Sequence, residues 1–143
     1  MSIRTWQKEY YPTSAQRNCE TDLTAIQHSL KKYEGMKSAN LKKHDVWLEE
    51  GSLCEPFQKT EMVQSFLVMG NDQCALCHKH YTLSSSEPCA TCPLYISGNH
   101  CLHSRSPYRR ARKLHQPGPL IKALTILKNQ CNKKGKWIPP KAK

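Results

Sequence analysis

The chain has 143 residues, 38% of them hydrophobic, and a net charge of +11. That length suits one domain with a modest core. It holds no apolar run near the ~20 residues a membrane helix needs, so no membrane-spanning helix is expected. The start, Met1 to Lys8, lacks the apolar segment of a secretory signal. The eight cysteines are therefore expected as reduced thiols in the cytoplasm rather than as an extracellular disulfide scaffold.

Charge is distributed unevenly. Residues 1–87 carry 10 Lys/Arg and 11 Asp/Glu, whereas residues 88–143 carry 12 Lys/Arg and no acid. Ordinary surfaces mix the two signs. A half without acids points to a polyanionic partner, most often nucleic acid, the blander reading being a basic tail for solubility or docking.

In chain order, residues 1–20 open with the aromatic segment Trp6 to Pro12, where Pro12 biases Tyr11 to an extended backbone. The aromatics are expected to pack on the domain, with a recognition arm as the alternative. Residues 21–34 read as a helix capped by Thr21 or Asp22. Leu23, Ile26, Leu30 and Tyr33 form its apolar stripe, and Gly35 stops it. A second short helix is expected from Ser38 to about Trp47, completing a helical hairpin. His28 and His44 fall in these helices and are assigned to packing or surface roles. Over 49–73, Gly51-Ser52 and Glu55-Pro56 are turn signals. Glu61 to Met69 fits a strand or a short helix, and Cys54 is read as a small buried hydrophobe.

Residues 74–103 carry the chemistry. Cys74-x-x-Cys77 and Cys89-x-x-Cys92 are separated by eleven residues, a zinc-site spacing. Each turn aims two sulfurs at one point, and four thiolates complete a tetrahedron at about 2.3 Å from zinc. Disulfides, an iron–sulfur cluster and a thioredoxin-like redox pair compete less well. The expected donors are Cys74, Cys77, Cys89 and Cys92, with Cys101 in place of Cys89 as the competing set. His78, His80, His100 and His103 stand close by. Short strands at most are expected here, in the manner of a zinc ribbon.

Between 105 and 113, five cationic residues occur in nine positions. Arg105, Arg109, Arg110, Arg112 and Lys113 suit phosphate oxygens, and Tyr108 suits stacking on an unpaired base. A basic run of this length also occurs on loops that bind protein. Pro119 then suits the first turn of a C-terminal helix bearing Leu120, Ile121, Leu124, Ile126, Leu127 and Cys131, which Asn132 to Gly135 end. The basic, proline-rich tail is expected to be mobile.

Together these readings give an α+β, mostly helical fold. A single domain spans 1–143, with an N-terminal helical part at 1–73, a zinc-ribbon or zinc-knuckle module at 74–103, a basic loop and C-terminal helix at 104–135, and a tail at 136–143.

The chain also resembles a group of small accessory proteins encoded by tailed bacteriophages. The resemblance rests on Glu9-Tyr10-Tyr11-Pro12, the run His28 to Met36, Asn40-Leu41-Lys42-Lys43-His44, both cysteine pairs with Pro93-Leu94, Gly98, Cys101, Ser106-Pro107-Tyr108 and the helix after Pro119. It implies a phage-encoded zinc-binding protein and no catalytic residues. Three functions follow. The first is a non-enzymatic module that binds Zn2+ and nucleic acid, DNA or RNA. The second is an interaction protein that inhibits or redirects a host complex, polymerase or defence enzyme, docking through the helical hairpin and aromatic arm. The third is a zinc-stapled nuclease, disfavoured because only Asp72 and Glu87 lie near the histidines and a catalytic magnesium site wants carboxylates.

Overall fold

A computed structural model of the chain describes residues 3–49, 52–54, 75–80, 89, 91–99, 106–109 and 117–140, with only the backbone at Glu49, Ser52, Leu53 and His78. The described elements are mostly helical. Helix α1 covers Ile3–Tyr10, a 3-10 turn Ala15–Asn18, α2 Asp22–Glu34 and α3 Ser38–Lys43. Strands β1 (Trp47–Glu49) and β2 (Ser52–Cys54) follow, then α4 (Ala75–His80), α5 (Pro93–Ile96) and α6 (Gly118–Asn129). The uncertain stretch Glu61 to Met69 lies outside the described residues.

Helix α2 is the central element and packs chiefly against α4 and α6. Thr21 caps it: its hydroxyl accepts from the Thr24 amide at 3.0 Å, and the Thr24 hydroxyl accepts from the Thr21 amide at 3.1 Å. Threonine here takes the return role usually filled by Glu or Gln. The buried face comprises Asp22, Ala25, Ile26, His28, Ser29, Lys32 and Tyr33. This differs from the expected stripe, because Leu23 and Leu30 sit half-buried at its edges. The small side chains of Ala25 and Ser29 let neighbouring helices close on that line instead. Lys32 is fully buried, with its ammonium 4.6 Å from the Tyr33 ring centroid.

The N-terminal aromatics belong to the core; Trp6 and Tyr10 lie on α1, and Tyr11, before Pro12, lies just beyond its end. Trp6 is fully buried and its indole donates to the Gly35 carbonyl at 2.8 Å. Tyr11 is buried, accepts the Ala15 amide through its hydroxyl at 3.2 Å, and meets the His28 ring edge-on. His28 in turn bonds the Thr13 carbonyl through Nε2 at 2.8 Å. Ile26, Met36, Leu76, Leu120, Leu124 and Leu127 complete the interior.

Two expectations are corrected. Helix α3 stops at Lys43 instead of reaching Trp47, because Asp45 adopts φ 57, a left-handed conformation that Asp tolerates and a helix does not. Trp47 then opens an antiparallel pair, Trp47 opposite Cys54 and Glu49 opposite Ser52. Cys54 is buried, as a small hydrophobe should be. The second correction concerns the tail. Trp137, only 5% exposed, is part of the core, and the Ile138 amide donates to the Gln130 carbonyl at 3.3 Å. An isolated bridge pairs Cys131 with Trp137, and the Trp137 indole donates to Gln130 Oε1 at 2.8 Å. Burying one large aromatic outweighs the disordering tendency of the prolines around it.

At the α1–α3 contact, the Glu9 carboxylate accepts from Lys43 Nζ at 2.8 and 2.9 Å and from His44 Nε2 at 2.9 Å. The His44 bond first, then Lys43 and the Tyr10 hydroxyl, hold Glu9 well below the carboxylate range, at about 2. Burial, and then the bond to Glu9, push Tyr10 up to about 12. The folded value of Glu9 lies below its ordinary 4.5. Its contribution to stability is therefore complete above that pH and is lost as pH falls from 4.5 towards 2. Urea midpoints across that window should fall more steeply for the native chain than for Glu9→Gln, whose acid limb is flatter; identical slopes would remove Glu9 from the acid response.

Gly35 is required by close approach rather than by its dihedral angles. A Cβ there would lie 2.4 Å from Tyr10 Cγ and 2.7 Å from Tyr10 Cβ. Gly35→Ala should cost about 1–3 kcal/mol through overpacking, read as a lower urea midpoint, and adding Tyr10→Ala should relieve only the part due to the ring, because the Tyr10 Cβ contact at 2.7 Å remains.

Candidate metal centre and basic surface

Cys77 and the Cys89–Cys92 turn belong to segments that His80 joins. Helix α4 carries Cys77 and, one turn later, His80. In the second pair, the Cys92 amide donates to the Cys89 carbonyl at 2.9 Å, closing the tight turn a Cys-x-x-Cys unit needs. Pro93 follows at the start of α5, where its fixed φ suits a first helical turn. The described parts of 74–103 are thus helical turns, and the expected ribbon strands do not occur among the described residues.

His80 links the segments. Its Nε2 is 2.6 Å from Asp22 Oδ1 and its Nδ1 is 3.1 Å from the hydroxyl of Thr91, the residue just before Cys92. A carboxylate only accepts, so Nε2 carries the proton and donates to Asp22. Both ring nitrogens are in use, which makes His80 a strut between the body and the second cysteine turn. The other Asp22 oxygen, Oδ2, accepts from the Trp137 amide at 2.9 Å. Asp22 is 7% exposed and lies in the first turn of α2, where the helix dipole favours a negative charge.

Cys77 and Cys89 are half-buried and Cys92 is buried. Cys74, Cys101, His100 and His103 lie outside the described residues, as does the His78 side chain. Among the described residues, no three His, Cys, Asp or Glu side chains form a metal-holding group. The donor chemistry still fits zinc, since soft thiolates in paired short turns are what that ion selects. Cys131 differs in kind. Burial first, and then the charge of Asp22, push its thiol up, and it donates to the Leu127 carbonyl at 3.5 Å. A raised thiol is a poor nucleophile and a poor ligand.

In the basic segment, Ser106 is buried and its hydroxyl accepts the Arg109 amide at 3.1 Å, starting a helical turn. Pro107 is buried, Tyr108 is half-buried against the core, and Arg109 is exposed. Tyr108 therefore fastens the segment to the body. Arg105, Arg110, Arg112 and Lys113 lie outside the described residues.

Sequence reasoning passed over Asp22 as anything more than a cap, and over Thr91 altogether. The available signal for Asp22 was its place beside the cap, on the line of Ala25, Ile26 and Ser29. No family model matches the chain, and no curated protein or solved structure shows significant similarity to it. No helix among the described residues is long and apolar enough to cross a membrane.

Removing the Asp22 acceptor strands a buried amide and an imidazole N–H. Asp22→Ala should cost about 2–4 kcal/mol, and native-state hydrogen exchange should speed up at the Trp137 amide. An unchanged Trp137 exchange rate would mean that the tail is held by other contacts.

Proposed function

We propose that this protein is a non-enzymatic zinc-binding protein that engages nucleic acid through its basic C-terminal half, in the accessory role its phage resemblance implies. The observation that carries this reading is the charge segregation: all 12 Lys/Arg of residues 88–143 stand in a stretch without one acid. Phosphates are the most abundant partner for such a surface, and binding of this kind is driven by counterion release.

In this reading Cys74, Cys77, Cys89 and Cys92 hold the ion, with Cys101 as the competing donor. Zinc there would supply folding free energy to a segment with few apolar residues of its own. The His80–Thr91 bond supports the reading, because it brings the helix bearing Cys77 beside the turn bearing Cys89 and Cys92. Arg105, Arg109, Arg110, Arg112 and Lys113 would contact phosphates. For the docking reading, the burial of Trp6 and Tyr11 removes the aromatic arm as a surface. For the nuclease reading, the acid beside His80 is the buried Asp22, already engaged on both oxygens.

Elemental analysis of reduced, freshly purified protein should give about one zinc per chain. Titrations with short duplex and single-stranded probes should show binding that weakens steeply with salt. Five phosphate contacts on a duplex correspond to a log–log slope of about −4.5, a loss of about 500-fold between roughly 50 and 200 mM salt. No binding at the lower salt to either DNA or RNA rejects the nucleic-acid reading, and absence of zinc rejects the metal. Retention of one host protein from nuclease-treated lysate, by a chain that binds no nucleic acid, would move the reading to docking.

A further inference from the structure

Outside the arginine-rich segment, the structure holds a second cationic feature, the turn Asn132–Lys136. The Asn132 side-chain oxygen accepts the amides of Lys134 and Lys136 at 2.9 and 3.0 Å. The Asn132 amide donates to the Lys136 carbonyl at 2.8 Å and the Gly135 amide to the Asn132 carbonyl at 3.0 Å. Gly135 sits at φ +82, and a Cβ there would lie 2.9 Å from Thr21 Oγ1. Its carbonyl accepts the Leu23 amide at 2.8 Å, which fastens the turn to the start of α2. Trp137, bound to Asp22, fixes the other side.

This turn presents Lys133, Lys134 and Lys136, all exposed, with exposed Lys128 in the last turn of α6 before it. None of the four forms an ion pair with a described acid; the described pairs involve Glu9, Asp22 and Glu34. Glu20, adjoining the cap, is exposed and accepts only through its carbonyl, from Lys79 of α4. The turn is held by the Asn132 side chain, by its own backbone and by the Leu23 amide, so its three exposed lysines, in no ion pair among the described residues, are not what keeps it in place.

We propose that the Asn132–Lys136 turn is a preformed phosphate-backbone contact for nucleic acid, separate from the 105–113 segment. This rests on the nucleic-acid reading above and adds a second point of attachment to it. Lysines act as hydrated point charges without fork geometry, so this contact adds affinity without base preference. The one large aromatic at the turn, Trp137, is buried and cannot act as a stacking platform or a membrane anchor. Nucleic-acid phosphate therefore fits the turn better than a lipid surface does.

The test compares the full chain with Lys133→Gln/Lys134→Gln/Lys136→Gln and with Arg109→Gln/Arg110→Gln/Arg112→Gln, on one duplex probe and one scrambled duplex across a salt series. The lysine variant should lower the log–log salt slope by about 2 to 3 and weaken binding more than about tenfold at low salt, equally on both duplexes. Asn132→Ala, which keeps every charge and frees the turn, should weaken binding while leaving the slope in place. A native chain that binds no nucleic acid overturns the underlying reading. A native chain that binds, with a lysine variant of unchanged slope beside an arginine variant of reduced slope, overturns the turn alone. So does a lysine variant defective only towards anionic vesicles or an acidic protein. Should thermal melting show the triple variant unfolded, Lys134→Gln alone, expected to lower the slope by about 0.9, decides the matter.

Discussion

Helix α2, helix α4 and the C-terminal turn meet at one buried carboxylate. Asp22 stands at the start of the central helix, and its two oxygens accept from an imidazole on α4 and from a backbone amide 115 residues further along the chain. A lone carboxylate in a protein interior is costly to desolvate. Here three features offset the cost: two good donors and the positive end of α2. Because a charge in this position cannot be left unpaired, it specifies where α4 and the C-terminal turn must sit. Apolar packing alone would leave their registers looser. The small residues along α2, Ala25 and Ser29, then allow the neighbouring helices to approach closely enough for those bonds to form.

Most of what was legible in the sequence was local. The Thr21 cap, the extent of α2, the Pro-initiated C-terminal helix and the burial of Cys54 all follow from rules that look a few residues either way. The misreadings share a cause. Ile26 and Tyr33 of the expected stripe are buried and Leu30 packs against the core, but Leu23 lies at the edge, and the buried face also takes in Ala25, Ser29 and Lys32 because tertiary partners set it. Trp137 looks like part of a mobile tail because its neighbours are Lys and Pro, and only the distant Asp22 and Gln130 hold it down. The Ser38 helix overran in prediction because nothing in its periodicity reveals that Asp45 turns left-handed.

At the candidate site the sequence carried the type of donor and the structure carries its support. Cysteine spacing argues for a soft-metal site irrespective of fold. It does not say what keeps the two turns together. The bond from His80 to Thr91 does so, and the bond from His80 to Asp22 fastens both to the body. A histidine near paired cysteines is easily read as a ligand, yet here both ring nitrogens are engaged, by Asp22 and by Thr91, and its work in this structure is mechanical.

The same carboxylate bears on how a surface can be made so positive. Residues 88–143 carry twelve cations and no acid, so self-repulsion works against folding them tightly. An acid placed among them on the surface would relieve that repulsion and also weaken attraction for a polyanion. Asp22 avoids the conflict by its location. It comes from the mixed-charge half, lies beneath the C-terminal turn, and holds that turn by its backbone amide rather than by a lysine. The negative charge steadies the turn from inside, while Lys133, Lys134 and Lys136 above it keep their charges turned to solvent. Were a surface acid to hold the turn instead, through a lysine ammonium, the same bond would neutralise one of the exposed positive charges.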